Sequence, residues 1–356
     1  MKQRVALLFG GKSTEHQVSL QSVRSIYDSI DKENYDILLI GISKDGEWNL
    51  YDHLDTCLVN SHCPDSIELK KSGKTIALVL GEKGGQFLEL QSGKSLGKID
   101  VLFPLVHGAL GEDGSMQGLF RVANIPFVGS SVLASAVSMD KDFTKRLLRD
   151  AGLKVANSMT FTKNKKGTIN FKEVKDVLGT PMFIKPANQG SSVGISKVVS
   201  EEEFYKGIDI AFSYDSKIIV EESIVGREIE CAVLGNDEPI ASLPGEIVTQ
   251  NSFYSYKAKY MDEKGTKLII PAELEDTVTQ EIKTKAIKAF KALQCEGLAR
   301  VDFFLTKDND LIINEINTLP GFTKQSMYPK LWEVSGIKYH ELINKLISLA
   351  IERHQN

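Results

Sequence analysis

The sequence predicts a chain of mixed α/β and α+β type, with an open α/β sheet at its N-terminus. Three observations lead there. Val5–Phe9 is a short apolar run that ends in Gly10-Gly11, and a helical pattern and a second apolar run, Tyr35–Ile42, follow it. Strand, glycine turn, helix and strand in that order begin an open sheet whose ligands sit at the carboxyl ends of strands. Further on, Met182–Ala187 and Ile195–Val199 are strand-like but are joined by a Gly/Ser loop. Last, Ala299–Ser326 holds two apolar runs about the polar turn Lys307-Asp308-Asn309-Asp310, the pattern of a β-hairpin.

The totals bound the rest. A chain of 356 residues has room for two or three domains. A net charge of −4 gives no electrostatic reason to expect nucleic acid or an anionic membrane as partner. Cys57, Cys63, Cys231 and Cys295 lack zinc-type spacing and read as unpaired thiols in a reducing cytosol. The apolar run at the N-terminus is too short for a signal peptide, and no stretch is long enough to span a membrane, so a cytoplasmic location is expected.

In chain order, the first helix turns Val23, Ile26, Tyr27 and Ile30 to one face. Gly11-Lys12-Ser13-Thr14 is not a P-loop, because that motif needs a glycine where Ala6 stands. Glu15 enters the helix, where an acidic residue matches the dipole with no further role required. Residues 52–98 carry short β-like runs and are expected to form surface hairpins. Asp100–Val106 is a nearly continuous apolar strand ending in His107-Gly108, with Gly111-Glu112-Asp113-Gly114 before a helix from about Ser115. Glycines clustered at a strand end let backbone approach a ligand; an ordinary βα loop is the plainer reading for Glu112 and Asp113. A boundary is expected at Ser130-Ser131, followed by two helical patterns, the second with Phe143, Leu147, Leu148 and Ala151 on one face.

Lys185 lies on the strand Met182–Ala187, and the loop Asn188–Gly194 offers backbone N–H groups and the hydroxyls of Ser191 and Ser192 to phosphates. Ser200 and Glu203 form a capping box for a helix with Phe204, Ile208, Ala211 and Phe212 on its core face. Lys217–Glu222 is a strand that ends in two acids, and Ile224–Glu228 links it to the strand Ile229–Leu234, a place suited to a flat ring. Phe253–Tyr260 is aromatic and basic, and reads as a lid over an anion. Glu275–Leu293 and about Tyr339–Arg353 are amphipathic helices.

The hairpin carries the densest chemistry. If Thr306 lies opposite Leu311, Asp302 faces Glu315, Arg300 faces Asn317, and all four share one face. Val301, Phe303, Leu305, Ile312 and Ile316 would take the core face. Opposed carboxylates destabilise a sheet unless a cation lies between them, and all-oxygen ligands suit Mg²⁺ completed by phosphates. A solvated strand face is the plainer alternative, but the density of matched polar types before Leu319-Pro320-Gly321 favours a metal site.

Together, a strand lysine, a Gly/Ser loop between strands, an acidic linker strand and a late Asp/Glu/Asn hairpin resemble the ATP-grasp fold, in which two α+β subdomains hold ATP. Glu15 after a Gly-Gly turn, His107-Gly108 with Gly111–Gly114, the Gly190–Gly194 loop, Lys259-Tyr260, and Asn317–Thr323 with Ser326 further resemble the D-alanine–D-alanine ligase family. The resemblance runs over nearly the whole chain in order, and Ser255 departs from it where many members carry an acid.

The resemblance implies a Rossmann-like N-terminal α/β substrate domain over 1–130, a central ATP-grasp subdomain over 131–221, and a C-terminal one with the metal site over 222–356. It implies ATP-dependent joining of two D-alanines through an acyl phosphate, for peptidoglycan precursor synthesis. Asp302, Glu315 and Asn317 would bind Mg²⁺ or Mn²⁺, two ions in all. Lys141, Lys185 and Lys259 would hold phosphates, with Ser192, Glu222, Phe253 and Asn314 also at the ATP site. Glu221 and the backbone near Ile224 would read adenine, and Glu228 the ribose. Arg300 and the Gly321 N–H would stabilise the oxyanion. Glu15 would pair with the first D-alanine, Ser326 would bind the second, and His107 and Met327 would line the substrate site. Tyr260, Ser191 and Glu15 would close the lid. Tyr260 and Ser326 disfavour D-lactate as second substrate and leave D-serine open. A homodimer is expected.

Overall fold

The computed structural model describes residues 2–60, 67–71, 74–81, 86–249 and 266–355. Phe253, Ser255, Lys259 and Tyr260 therefore lie outside the described residues. Among those described, no helix is long and apolar enough to cross a membrane.

The first 130 residues hold β1 (Gln3–Gly10), α1 (His16–Ser29), β2 (Tyr35–Ile42), β3 (Trp48–Tyr51), α2 (Leu54–Cys57), β4 (Leu58–Asn60), β5 (Ile67–Leu69), β6 (Ile76–Val79), β7 (Gln86–Glu89), β8 (Ser95–Lys98), β9 (Val101–Pro104) and α3 (Ser115–Val122). The sheet order is β3-β2-β1-β9, with β1 parallel to β2 and to β9. Val5–Phe9 can be uniformly apolar because this central strand is covered on both faces, and each of its five side chains is buried. The expected strand Asp100–Val106 is regular only over Val101–Pro104. The hairpins expected at 52–98 form, as the pair β4-β5 and the sheet β6-β7-β8. They are not merely superficial: Ile76 and Phe87 are buried against Ala6 and Leu8, and Trp48 stacks on Phe87 at 5.9 Å.

Next come α4 (Val132–Met139), α5 (Lys141–Asp150), β10 (Ser158–Thr162), α6 (Phe171–Leu178), β11 (Met182–Pro186), β12 (Ser196–Val198), α7 (Glu201–Tyr214) and β13 (Lys217–Glu222). The strands form an antiparallel sheet ordered β10-β13-β11-β12. The Ser200–Glu203 capping box is present, and Phe204, Ile208, Ala211 and Phe212 are buried as expected. Helix α5 departs from its pattern. Phe143 and Leu147 are largely exposed, while Asp142, Thr144, Lys145 and Leu148 are buried. Leu148 and Ala151 reach the core as expected, while Asp142 and Lys145 bring charge to the buried side of the same helix. Lys217 Nζ lies 4.7 Å over the Phe143 ring, which gives that exposed aromatic a cationic cover.

The remainder holds β14 (Arg227–Gly235), β15 (Ile240–Ala241), β16 (Gly245–Thr249), β17 (Thr266–Ile269), α8 (Asp276–Ala292), β18 (Gly297–Leu305), β19 (Leu311–Asn317), α9 (Met327–Val334) and α10 (Tyr339–Gln355). The sheet order is β17-β16-β14-β18-β19, with β15 on β14. Helix α8 packs Val278, Ile282, Ala286, Ala289 and Phe290 against Val301, Phe303 and Ile316. Helix α10 instead reaches the first sheet. Leu342, Ile343, Leu346 and Ile347 share one buried cluster with Val5, Leu7, Phe9 and Phe103.

The β18–β19 hairpin pairs Asp302 with Glu315 and Arg300 with Asn317, as expected. Its turn end does not follow. Leu305, not Thr306, pairs with Leu311, because a bulge falls between Asp302 and Phe303. That bulge adds one residue to β19. Leu311, Ile313 and Ile316 therefore take the core face, and Ile312, expected there, is only half-buried.

Candidate active site

The bulge is what arms the polar face. Asn314 and Glu315 are the successive residues of β19 at the extra position, and both line one cavity with Arg300, Asn317, Leu319 and Gly321. The same cavity is lined by Glu15 and His107 from the first sheet's loops, by Glu112, by Lys141 at the start of α5, and by Gln189, Gly190 and Ser191. Residues from all three main sheets' loops and strands thus converge.

A row of acids crosses the third sheet. Glu230 on β14 pairs with Asp302 on β18, which pairs with Glu315 on β19. Arg300 compensates them. Its Nε and Nη2 donate to Asp302 Oδ1 and Oδ2, each at 2.7 Å, and Nε lies 2.9 Å from Glu230 Oε2. Burial would lower the Arg300 pKa, but Asp302, Glu230 and Glu315 outweigh it and raise it. A guanidinium so placed is permanently charged.

The donor set fits a divalent cation. Asp302, Glu315 and Asn317 supply oxygens from adjacent positions of two paired strands, and each carboxylate oxygen has lone pairs beyond those that Arg300 takes. Among the described residues no three His, Cys, Asp or Glu side chains form a metal cage. Two carboxylates and an amide suit Mg²⁺, which keeps waters and substrate phosphates in its shell.

Glu15 is wedged between two glycines. A Cβ on Gly108 would sit 2.5 Å from Glu15 Oε2, and one on Gly190 3.5 Å from it. Ser191, at φ 51°, donates its hydroxyl to Glu15 Oε1. This bond joins the 188–194 loop to the N-terminal turn over the cavity. Beside it, His107 Nδ1 is 3.1 Å from Leu319 O and 3.5 Å from Glu112 Oε1. Burial would lower the His107 pKa, but Glu112 and Glu15 outweigh it and raise it. Burial, with Glu15 nearby, also raises that of Glu112.

On the other side, Lys141 Nζ donates to Gln189 O at 2.6 Å. Lys185 Nζ is 2.7 Å from Glu221 Oε2, and Lys145 Nζ is 3.2 Å from Glu221 Oε1. Burial alone would raise the Glu221 pKa; Lys145 and Lys185 outweigh it and bring it to about 2, against an ordinary 4.5. A depressed carboxyl pKa contributes stability that is present above the ordinary value and lost as pH falls toward the folded one. Glu221 should therefore add stability at neutral pH that is lost in acid, offset in part by Lys145, whose pKa burial lowers. Urea midpoints at pH 5 and pH 3 should diverge more for the parent than for Glu221→Gln; parallel shifts would count against this pairing.

The remaining expected site residues are dispersed. Glu222 accepts from Asn157 N at 2.7 Å, which ties it to the chain before β10. Ile224 and Glu228 are half-buried at the β13–β14 link, and Ser192 lies beside Ser191 with φ 59°. Ser326 Oγ accepts from Thr323 N at 3.1 Å, and a Cβ on Gly321 would meet it at 3.2 Å. Met327 is buried in the core with Tyr328 and Leu331, and its side chain does not line the cavity. Three buried charges had no role in the sequence analysis. Glu230 could have been found two residues after Glu228 on the same strand face, Lys145 one helical turn after Lys141, and Glu112 within the Gly111–Gly114 motif.

Comparison with known proteins places the chain in a family. The family models for the D-ala D-ala ligase N-terminus and C-terminus match residues 4–130 and 147–348. The chain is 60% identical over 355 residues to the D-alanine–D-alanine ligase of Oceanobacillus iheyensis, covering 100% of this chain and 97% of that one. Among solved structures, it superposes on a D-Ala:D-Ser ligase from Enterococcus faecalis with a TM-score of 0.86 at 36% identity, covering 98% of this chain and 100% of that one. It also superposes on the D-alanine–D-alanine ligase of Bacillus anthracis complexed with ATP, with a TM-score of 0.74 at 26% identity and 99% of each chain covered. On the match of both family models and an identity this high over the full chain, the protein belongs to the D-alanine–D-alanine ligase family.

Proposed function

We propose that the chain joins two D-alanines to D-alanyl-D-alanine with cleavage of ATP, as a cytoplasmic homodimer supplying peptidoglycan precursors. The observation that carries this reading, beside family membership, is one cavity bounded by Glu15, Ser191, Lys141, Arg300, Glu315 and Asn317. A carboxylate oxygen of the first D-alanine attacks the γ-phosphorus of ATP, the bond to the β-phosphate oxygen breaks, and ADP leaves. The amine of the second D-alanine then attacks the acyl carbon, the carbon–oxygen bond to phosphate breaks, and the amine gives up a proton.

Each step has a charge problem that this chain's residues answer. Lys141 and Lys185 offset the repulsion between carboxylate and triphosphate. Arg300, held on Asp302 and Glu230 through Nε and Nη2, presents a fixed positive charge to the oxyanion that forms on the acyl carbon. The Gly321 N–H serves the same oxygen. Glu15 pairs with the ammonium of the first D-alanine, and its bond to Ser191 closes the phosphate loop over the site and excludes water from the acyl phosphate. Asp302, Glu315 and Asn317 would hold Mg²⁺ or Mn²⁺, which supplies charge neutralisation on the phosphates. Glu221, Ile224 and Glu228 form the nucleoside side. The division into domains at 130 and 221 accompanies this assignment, with ATP between the second and third sheets.

Phosphate release from Mg-ATP with D-alanine tests it, with the product identified by mass. D-alanyl-D-alanine should form, and L-alanine should give none. Release only when D-serine or D-lactate is added would move the second substrate to that compound, and silence with all of them would overturn the ligase reading.

A further inference from the structure

Helix α5 turns a lysine inward that no step above uses. Lys145 is 2% exposed and follows Lys141 by one turn. Its Nζ is 3.2 Å from Glu221 Oε1, and beyond that ion pair it has no hydrogen-bond partner among the described residues. Lys185 Nζ approaches the other oxygen at 2.7 Å. One carboxylate on β13 is thus gripped by two ammonium groups, from α5 and from β11. Stability alone does not account for the second ammonium, because the desolvation of burying it offsets part of what the ion pair returns. What the second cation adds is geometry, since one contact per oxygen fixes the plane of the carboxylate.

We propose that Lys145 is a positioning residue for nucleotide selection: with Lys185 it locks the Glu221 carboxylate so that its remaining lone pairs face the edge of a purine. A locked, ionised carboxylate only accepts hydrogen bonds. It takes an exocyclic amine, as on adenine, and repels a carbonyl oxygen at the same place, as on guanine. This inference rests on the reading of Glu221 as part of the nucleotide site.

Calorimetry of ATP and GTP binding to the parent, Lys145→Met and Lys145→Gln tests it, with kcat and the KM for D-alanine measured alongside. Lys145→Met should weaken ATP about tenfold, the scale of one hydrogen bond to a charged group, and should lower the ATP-to-GTP affinity ratio by a similar factor. The kcat at saturating ATP and the KM for D-alanine should stay within about twofold, because these depend on the other side of the site. Lys145→Gln restores a donor without charge and should recover part of the ratio. An unchanged ratio in folded Lys145→Met overturns the proposal, as does a loss spread equally over ATP, GTP and kcat. If Lys145→Met does not fold, a parental ratio in Lys145→Gln overturns it instead. Because binding is read without turnover, a parent that binds ATP but ligates no D-alanine would sink the ligase reading and leave this test standing.

Discussion

Arg300→Met should lower kcat by roughly 10²–10³-fold, the usual loss for one preorganised oxyanion donor, and should also destabilise the fold. Arg300 is 6% exposed, and its removal takes away the guanidinium that lies against both Asp302 and Glu230 on β18 and β14. Removing one partner from a buried ion-pair cluster costs about 3–5 kcal/mol. The two effects separate by measurement: urea unfolding reads the second, and kcat at a temperature where the variant is folded reads the first. Arg300→Lys keeps a charge but loses the fork that spans Asp302 Oδ1 and Oδ2. It should recover more stability than rate, since the remaining defect is one of orientation. A folded Arg300→Met with parental kcat would remove Arg300 from the chemistry.

Glu315→Gln should abolish the metal-dependent part of nucleotide binding and lower turnover on the order of 10³-fold, because Glu315 would supply one of the charges that hold the cation. In the absence of metal the same variant should melt close to the parent. Glu315 lies directly opposite Asp302, and the like-charge repulsion relieved there, about 0.2–1 kcal/mol, offsets the attraction to Arg300 that is lost. The contrast between an unharmed apo protein and a lost Mg²⁺-dependent thermal shift is the signature of a ligand. Asp302→Asn should lose the same shift but melt lower, since Asp302 also holds Arg300. A parental Mg²⁺-dependent shift in Glu315→Gln would take Glu315 out of the metal site.

Much of this site is legible in the sequence because its parts are local. The Asp302–Glu315 and Arg300–Asn317 pairs follow from two apolar runs around a polar turn, and the capping box at Ser200 follows from spacing alone. The bulge beside Asp302 was not legible. No glycine marks it, and an even count from the turn hides the extra residue that brings Asn314 to the cavity and turns Ile312 from the core. Helix α5 misled for a related reason. Leu148 and Ala151 pack as the helical spacing predicts, yet Lys145 is drawn inward beside them by Glu221, an ion-pair partner more than seventy residues later. Lys145 and Glu230 needed the third dimension, since each takes its meaning from a strand distant in sequence.

The joining of α10 to the first sheet has a consequence for biosynthesis. Residues 3–10 form the central strand of that sheet, and part of its apolar cover arrives with residues 339–355. At about 5–20 residues per second, translation separates the two by roughly a quarter of a minute to a minute. Throughout that interval the nascent N-terminal sheet carries the face of Val5, Leu7 and Phe9 without Leu342, Leu346 and Ile347 over it. That apolar face is therefore made well before the helix that completes its cover, with α1, through Leu20, Val23 and Ile26, arriving early.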